Sequence, residues 1–202
     1  MYARVVIGQY QPGTVDEGFQ ILRESILPET RQQPGFKGIL GLEDRSTDKA
    51  MAISLWQTEA DAQASGASSN YLQAQLAKVA SLFAAAPVIE TYEVGIQETQ
   101  QAGAGIYARV LTSIVQPGKM DEGLQIVRDS IVPAARQTQG FKGTLLFSDR
   151  STGKVMTITF WATEVDLKAS ETSGFLQEQL GKVAHVLATQ VVREMYEVAV
   201  QE

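Results

Sequence analysis

The chain has 202 residues, of which 44% are hydrophobic and 20% are charged, as is typical of a globular protein. Its formal net charge of −6 argues against nucleic acid and anionic membranes as partners, because both bind basic surfaces. Cysteine is absent, which excludes disulfides, thiolate metal ligands and a cysteine nucleophile. The first residues lack a signal-peptide pattern and no apolar run is long enough for a bilayer, so we expect a cytoplasmic protein.

The chain begins with the pattern of a strand followed by a helix. Residues 2–9 are rich in β-branched side chains, which favour a strand. Thr14 and Glu17 have the spacing of a capping box, and the apolar residues that follow recur at helical spacing. We expect Pro28 to kink or end this helix, because proline lacks an N–H group and crowds the preceding turn.

Three more strands and a second helix follow. Residues 36–44 and about 50–57 predict two strands joined by a hairpin loop. Thr58 and Asp61 place a capping oxygen and a carboxylate at the start of the second helix. Residues 88–97 predict the last strand. The order is therefore β-α-β-β-α-β, which is the ferredoxin-like arrangement.

The whole pattern occurs twice. The segment from Arg31 to Trp56 recurs, with few changes, from Arg136 to Trp161. The period is that of a small domain rather than of a solenoid unit. We predict two domains at residues 1–98 and 106–202, joined by a polar linker rich in Gly and Ala at residues 99–105.

The third strand of the first copy predicts how the two domains are arranged. Neither its Met51, Ile53, Leu55 face nor its opposite face carries a charged residue, so neither is expected to face water. A four-stranded sheet with helices on one face needs a partner for the other. The sequence therefore predicts an α+β protein in which the two repeats form a pseudo-dimeric barrel, and it leaves open whether the full chain forms a further homodimer.

Particular motifs of the first copy resemble a known family. The letters PGFKG come before the hairpin, and LW-x-T-E-A-D, read at residues 55–61, opens the second helix. This combination is similar to the antibiotic biosynthesis monooxygenase (ABM) domain of the dimeric α+β barrel superfamily. The resemblance covers both copies and implies a tandem fusion of two ABM-like domains. Members of that family include cofactor-free oxygenases acting on polycyclic aromatic or quinol substrates, haem-degrading enzymes, and proteins with no assigned reaction.

The functional residues of the family are matched unevenly. The family's Trp at the end of the third strand corresponds to Trp56 and Trp161. The cofactor-free oxygenases also place an Asn four residues before that Trp, where this chain has Ala52 and Thr157. The resemblance therefore leaves open whether the chain is a cofactor-independent monooxygenase.

Haem chemistry of the family type needs residues that this chain does not supply twice. The haem-degrading members use an Asn on the first strand and a His on the second helix. This chain contains a single Asn, Asn70, and a single His, His185. One Asn and one His cannot form two symmetric haem sites, so we expect no haem degradation and predict no cofactor. His185 itself falls on the polar side of a helix, which predicts a solvated surface residue.

Four residues are candidates for ligand binding. Trp56 and Trp161 end strands whose same-face neighbours are small, which leaves room for a planar molecule, although core packing explains them equally well. Arg4 and Arg109 lie in the middle of apolar strands, where a guanidinium needs a partner.

The two arginines allow two interpretations. Ion pairs with Glu93 and Glu197 on the neighbouring strand are favoured, because buried charges are usually paired. A role in binding an anion is the alternative. No carboxylate pair, Ser-His-Asp set or metal cluster has a credible spacing, so no metal site is predicted and no catalytic residue is assigned.

These observations predict an ABM-like protein that binds a small aromatic or quinone-like molecule in an apolar pocket of each half. Cofactor-free oxygenation of that molecule is one outcome. The alternative is a non-catalytic ligand-binding, sensor or assembly module with the same fold.

Overall fold

The computed structural model describes residues 1–66, 70–99 and 106–202. Residues 100–105, which make up most of the predicted linker, lie outside the described residues.

The described chain divides into two compact units. Unit 1 comprises Met1–Glu93 and Glu197–Glu202, and unit 2 comprises Val94–Tyr196. Each unit thus includes the last residues of the other copy's final strand. The boundaries 1–98 and 106–202 follow the sequence repeat and stay a prediction.

Unit 1 contains one copy of the repeat and the end of the chain. Its elements are β1 (Tyr2–Gln9), α1 (Val15–Ile21), a π-helical segment (Leu22–Ile26), α2 (Leu27–Thr30), β2 (Phe36–Asp44), β3 (Lys49–Trp56), α3 (Glu59–Ala64), α4 (Asn70–Val79), a 3-10 segment (Ala80–Leu82), the first half of β4 (Val88–Thr99) and the last residues of β8 (Val192–Gln201). The strands pair antiparallel in the order β4-β1-β3-β2-β8.

Unit 2 repeats this construction. Its elements are the second half of β4, then β5 (Tyr107–Ile114), α5 (Met120–Ile126), a π-helical segment (Val127–Ile131), α6 (Val132–Ala135), β6 (Phe141–Ser148), β7 (Lys154–Trp161), α7 (Glu164–Thr172), α8 (Phe175–Val183), a 3-10 segment (Ala184–Val186) and the first half of β8. The strand order is β8-β5-β7-β6-β4.

The predicted fold class is confirmed. Both copies have the order β-α-β-β-α-β, and both sheets are built on hairpins with the same register. Tyr2 lies opposite Trp56 in unit 1, as Tyr107 lies opposite Trp161 in unit 2. The fold is α+β and ferredoxin-like, with equivalent residues at equivalent places in the two units.

Both faces of β3 are buried after Lys49, as the lack of charged residues from Ala50 to Trp56 predicts. Met51 and Ile53 are buried on one face, and Ser54 and Trp56 are buried on the other. An alternation of apolar and charged residues would have marked a face in contact with water, and none exists here.

The predicted capping box at Thr14 is wrong. The Thr14 side chain does not cap α1. Its hydroxyl donates instead to the backbone oxygens of Gln11 and Leu82, at 2.9 and 3.1 Å. The hydroxyl thus joins the turn before α1 to the segment after α4, which is a long-range contact that helix spacing does not reveal.

Pro28 does not end the first helix of unit 1. The helix widens into the π-helical segment, where the Leu27 N–H donates to the Leu22 oxygen, and continues to Thr30. The wider turn accommodates a residue that cannot donate and that crowds the preceding turn. Pro133 occupies the same position after the π-helical segment of unit 2.

The predicted cap at the start of the second helix is confirmed. Thr58 and Asp61 form a complete capping box at the start of α3, with the Asp61 N–H donating to the Thr58 hydroxyl at 3.1 Å. In the hairpin loops, Asp48 and Gly153 both have a positive φ, of 54° and 76°.

Among the described residues, no helix combines the length and the apolar character that crossing a bilayer requires.

Candidate functional site

Unit 1 encloses a cavity of about 90 Å³ between its sheet and its helices, here called cavity 1. Its wall is mostly apolar. The polar side chains that reach it are those of Arg4, Thr30, Ser54, Tyr71 and Gln75. A single water molecule needs a cavity volume of about 10–15 Å³, so cavity 1 has room for a small organic molecule.

Two glycines shape one wall of cavity 1. A Cβ atom on Gly8 would lie 2.2 Å from the Phe83 ring, and a Cβ atom on Gly18 would lie 2.4 Å from the Tyr10 ring. The missing side chains let Tyr10 and Phe83 lie directly on the backbone, with ring centroids 4.6 Å apart. This wall presents flat aromatic surfaces, which suit a planar molecule.

Arg4 lies at the polar end of cavity 1. It comes from the middle of β1, opposite Ser54 of β3, and only 4% of it is exposed. Its guanidinium donates to the backbone oxygens of Ala62 and Ser65, at 3.3 and 2.5 Å, and to the Ser65 hydroxyl at 3.2 Å. Burial lowers the pKa of Arg4 to about 10, and the neighbouring Tyr71 opposes this shift.

Trp56 packs against the guanidinium of Arg4. The guanidinium carbon lies 4.9 Å from the centroid of the Trp56 ring, which is within the range of a cation–π interaction. The indole N–H donates to the Ser54 hydroxyl at 2.9 Å. Trp56 is fully buried and lies beneath Arg4 rather than on the surface of cavity 1.

Unit 2 encloses an equivalent cavity of about 110 Å³, here called cavity 2. Arg109 and Trp161 form the same pair, 5.3 Å apart, and the Trp161 N–H donates to the Thr159 hydroxyl at 3.1 Å. Here Trp161 does line the cavity. Burial lowers the pKa of Arg109 to about 10, and the carboxylate of Glu171 opposes this shift.

The structure places the four predicted ligand-binding residues as two pairs, one in each unit. Arg4 and Arg109 reach the cavities, as does Trp161, whereas Trp56 does not. Binding of a ligand by these residues stays a prediction.

The predicted ion pairs of the two arginines are wrong. Glu93 lies opposite Tyr2 in the β1–β4 register, and the hydrogen-bond acceptors of Arg4 are the serine and backbone oxygens of α3. Glu197 binds Arg45 at 3.2 Å. The end of a helix thus supplies the partners that were expected from the neighbouring strand.

Sequence reasoning missed the helical side of the cavities. Tyr71 and Gln75 of α4 line cavity 1, and Phe175 and Gln179 of α8 line cavity 2. A glutamine at the same place in both copies, beside the apolar positions of the helix, was a usable signal in the sequence. Both glutamines are buried in the structure, which is unusual for this residue type.

The described residues do not fit a haem or metal site of the family type. The only histidine, His185, has 57% of its side chain exposed and lies 2.9 Å from Glu122, away from cavity 2. Within residues 1–66, 70–99 and 106–202, no three His, Asp or Glu side chains are grouped closely enough to hold a metal ion.

Comparison with known proteins places the fold. No family model matches the chain. An uncharacterized protein of Mycobacterium tuberculosis, Rv2557 of strain H37Rv, is 26% identical over 157 residues, covering 77% of this chain and 69% of that protein.

Solved structures match nearly the whole chain at low sequence identity. An anthrone oxidase-like protein is similar with a TM-score of 0.73 and 15% identity, covering 100% of this chain and 92% of its own. A Listeria monocytogenes ferredoxin-fold protein related to antibiotic biosynthesis monooxygenases has a TM-score of 0.57 and 12% identity over 97% and 94%. The haem-degrading enzyme of the same species has a TM-score of 0.58 and 12% identity over 98% and 99%. The chain therefore has the fold of ABM-related proteins.

Proposed function

We propose that each unit binds a small, planar, largely apolar molecule, such as a polycyclic aromatic or a quinone, in its cavity. The observation that carries this proposal is the combination, in both units, of a mostly apolar cavity with one buried guanidinium at its polar end. Ligand sites commonly have this construction, in which apolar walls provide affinity and a few polar groups fix orientation.

The buried arginine would orient the ligand. A guanidinium presents several N–H donors in one plane, and it favours a carbonyl or phenolate oxygen over a hydrocarbon edge. Arg4 and Arg109 hold the same strand position above a tryptophan, so the oxygen-bearing edge of a ligand would point toward β1 in unit 1 and toward β5 in unit 2.

Oxygenation of the bound molecule is the second candidate. It is favoured by the buried guanidinium beside a mostly apolar cavity, since a cation there would stabilise the anion of an anthrone or quinol. With anthrone, the methylene carbon would lose two hydrogens and gain one oxygen atom from O₂, while the second oxygen atom would leave as water. The Asn of the cofactor-free oxygenases is replaced by Ala52 and Thr157, so the chain's own residues support binding more directly than turnover.

Calorimetric titration of the full chain with anthrone under argon tests the binding proposal. We expect saturable binding that is lost in the double variant Ala52→Phe/Thr157→Phe, because both side chains line the cavities. Val165→Phe adds the same ring at a position that is 75% exposed and should leave binding unchanged. Absence of binding to the unmodified chain by anthrone, naphthoquinone and their analogues would refute the proposal.

An oxygen electrode separates turnover from binding. If the chain is an oxygenase, addition of air to the anthrone complex consumes oxygen and forms anthraquinone faster than in buffer, and the double variant abolishes the acceleration. Binding without acceleration would favour the non-catalytic module.

A further inference from the structure

We propose that the two cavities have diverged in the charge of their ligands. Cavity 1 takes an aromatic anion that also carries a hydroxyl group, whereas cavity 2 takes a neutral aromatic molecule. This inference rests on the proposed function and specifies the ligand class for each of its two sites.

The first observation is the carboxylate beside Arg109. Glu171 approaches the Arg109 guanidinium to 3.6 Å, and the two side chains are only 16% and 2% exposed. The other Glu171 oxygen binds Arg193 at 3.0 Å, but Arg193 is 51% exposed and its charge is screened by water. The buried cation of cavity 2 is therefore already compensated.

In the part of unit 1 that the structure describes, no carboxylate pairs with Arg4 in this way. The residue that corresponds to Glu171 is Gly66, since each follows the serine that binds the arginine, Ser65 or Ser170. A Cβ atom on Gly66 would lie 3.6 Å from the Arg4 guanidinium, so the position itself still faces the cation. Among the described residues, the acceptors of Arg4 are uncharged oxygens. Its charge is solvated by dipoles but not neutralised.

The carboxylate on the other side of cavity 1 does not fill this role. Glu29 accepts hydrogen bonds from Lys78 and from the Gln75 amide nitrogen, both at 2.7 Å. Lys78 therefore compensates the charge of Glu29, and Arg4 remains the uncompensated charge at the cavity wall.

The second observation is an acceptor without a donor in cavity 1. Because a carboxylate cannot donate, the bond to Glu29 requires the Gln75 nitrogen on that side, which leaves the Gln75 Oε1 atom buried and without a partner. Gln75 is 4% exposed and lines the cavity. In unit 2 the equivalent oxygen, on Gln179, accepts from Lys182 at 2.8 Å. Of the two equivalent glutamines, only the one in cavity 1 therefore has a free acceptor, which a hydroxyl group of a ligand would satisfy.

The hydroxyl groups also lie at different places in the two cavities. The Tyr71 hydroxyl donates to Thr30 at 2.6 Å in cavity 1, whereas Phe175 and Ala135 occupy these places in cavity 2. Conversely, Ser113 and Thr157 line cavity 2 where Gly8 and Ala52 line cavity 1.

Charge complementarity then sets the preference. An anion in cavity 1 would form a charge-assisted hydrogen bond with a guanidinium that lacks a counter-ion. In cavity 2 the same anion would meet a guanidinium whose charge Glu171 already compensates, and the nearby carboxylate would repel the anion. We expect each cavity to discriminate between an anion and its neutral isostere by about tenfold or more, in opposite directions.

Single-cavity variants of the full chain test this. The Thr157→Phe variant has cavity 2 filled, so a titration measures ligand binding to cavity 1. The Ala52→Phe variant has cavity 1 filled, so a titration measures ligand binding to cavity 2. Each is titrated with 6-hydroxy-2-naphthoate and with its neutral isostere 2-acetyl-6-hydroxynaphthalene. The anion should bind cavity 1 at least about tenfold more tightly than the isostere, and the isostere should be preferred in cavity 2.

Charge-swap variants identify the cause. In the protein with only cavity 2 open, Glu171→Gln keeps the shape, removes the charge and should improve binding of the naphthoate about tenfold. In the protein with only cavity 1 open, Gly66→Glu should weaken naphthoate binding, while the matched Gly66→Gln should not. Equal preferences of the two cavities, or no effect of Glu171→Gln, would overturn the divergence. Failure of all naphthalenes and of anthrone to bind would instead overturn the proposed function.

Discussion

The Arg4 guanidinium carbon lies 4.9 Å from the centroid of the Trp56 ring, and neither residue has appreciable contact with solvent. The equivalent pair in the second repeat, Arg109 and Trp161, is 5.3 Å apart. Each pair joins the first and third strands of its repeat at the polar end of a cavity. We expect the stability and the tryptophan emission of the protein to depend on this arrangement.

Replacing Arg4 with methionine should lower the free energy of unfolding by about 1–3 kcal/mol. Methionine fills similar space but leaves the buried Ala62 and Ser65 oxygens without their donor. Urea unfolding measures the change. Arg31→Met is the matched control, because Arg31 forms an exposed pair with Glu202 and should cost at most about 1 kcal/mol. Equal losses in the two variants would contradict a structural role for the buried hydrogen bonds.

The tryptophan emission should be blue-shifted and resistant to iodide, because Trp56 and Trp161 are both fully buried. A planar aromatic ligand should quench Trp161 more strongly than Trp56, since only Trp161 lines its cavity. Trp161→Phe should therefore remove more of the ligand response than Trp56→Phe. Emission typical of water-exposed indole would rule out this arrangement, and a larger loss in Trp56→Phe would contradict the assignment of the two rings.

Tyr10 should ionise late in an alkaline titration. Its burial raises the pKa to about 12, from an ordinary value of 10.0, because the phenolate loses hydration inside the protein. Tyr10 therefore contributes stability that is complete below pH 10 and is lost as the pH rises toward 12. Tyr10→Phe should reduce the alkaline loss of stability, measured by urea unfolding across this range, and should remove one late step from the phenolate absorbance. A phenolate step near pH 10 for every tyrosine would contradict the burial.

His185→Ala should change stability by no more than about 0.5 kcal/mol and should leave ligand binding unchanged. His185 is exposed, and its contact is an exposed Glu122 rather than a cavity residue. Thermal unfolding and anthrone titration of the variant provide the measurement. A large loss of either would show that the second repeat holds a specialised site at this helix.

The isolated half chain 1–99 should not be a stable monomer. In unit 1, β2 pairs with the end of β8, where Leu40 lies opposite Gln201 and Leu42 opposite Val198, and the half chain lacks those residues. An unpaired β2 edge invites association with another strand, so we expect a homodimer or aggregation. Light scattering after size exclusion measures the mass, and co-expression with residues 106–202 should restore a heterodimer. A well-folded monomeric half would refute the expectation.

The sequence by itself determined the repeat, the element order and the fold class. Period-two alternation and helical spacing are local patterns, and both copies carry them independently. The capping box of Thr58 and Asp61 was also predictable, because it involves neighbours within a few residues.

Tertiary structure alone decided the polar contacts of the site. Arg4 donates to Ser65, 61 residues away along the chain, and the Thr14 hydroxyl donates to the Leu82 oxygen, 68 residues away. Spacing in the sequence carries no information about such partners, because they depend on how a helix end packs against a strand. The same holds for the difference between the cavities. The sequence shows Glu171 and Gly66 as a mismatch between the repeats, but only the packing of α7 and α3 against the sheets brings these positions to the buried arginines. A charge matters most there, because water cannot screen it.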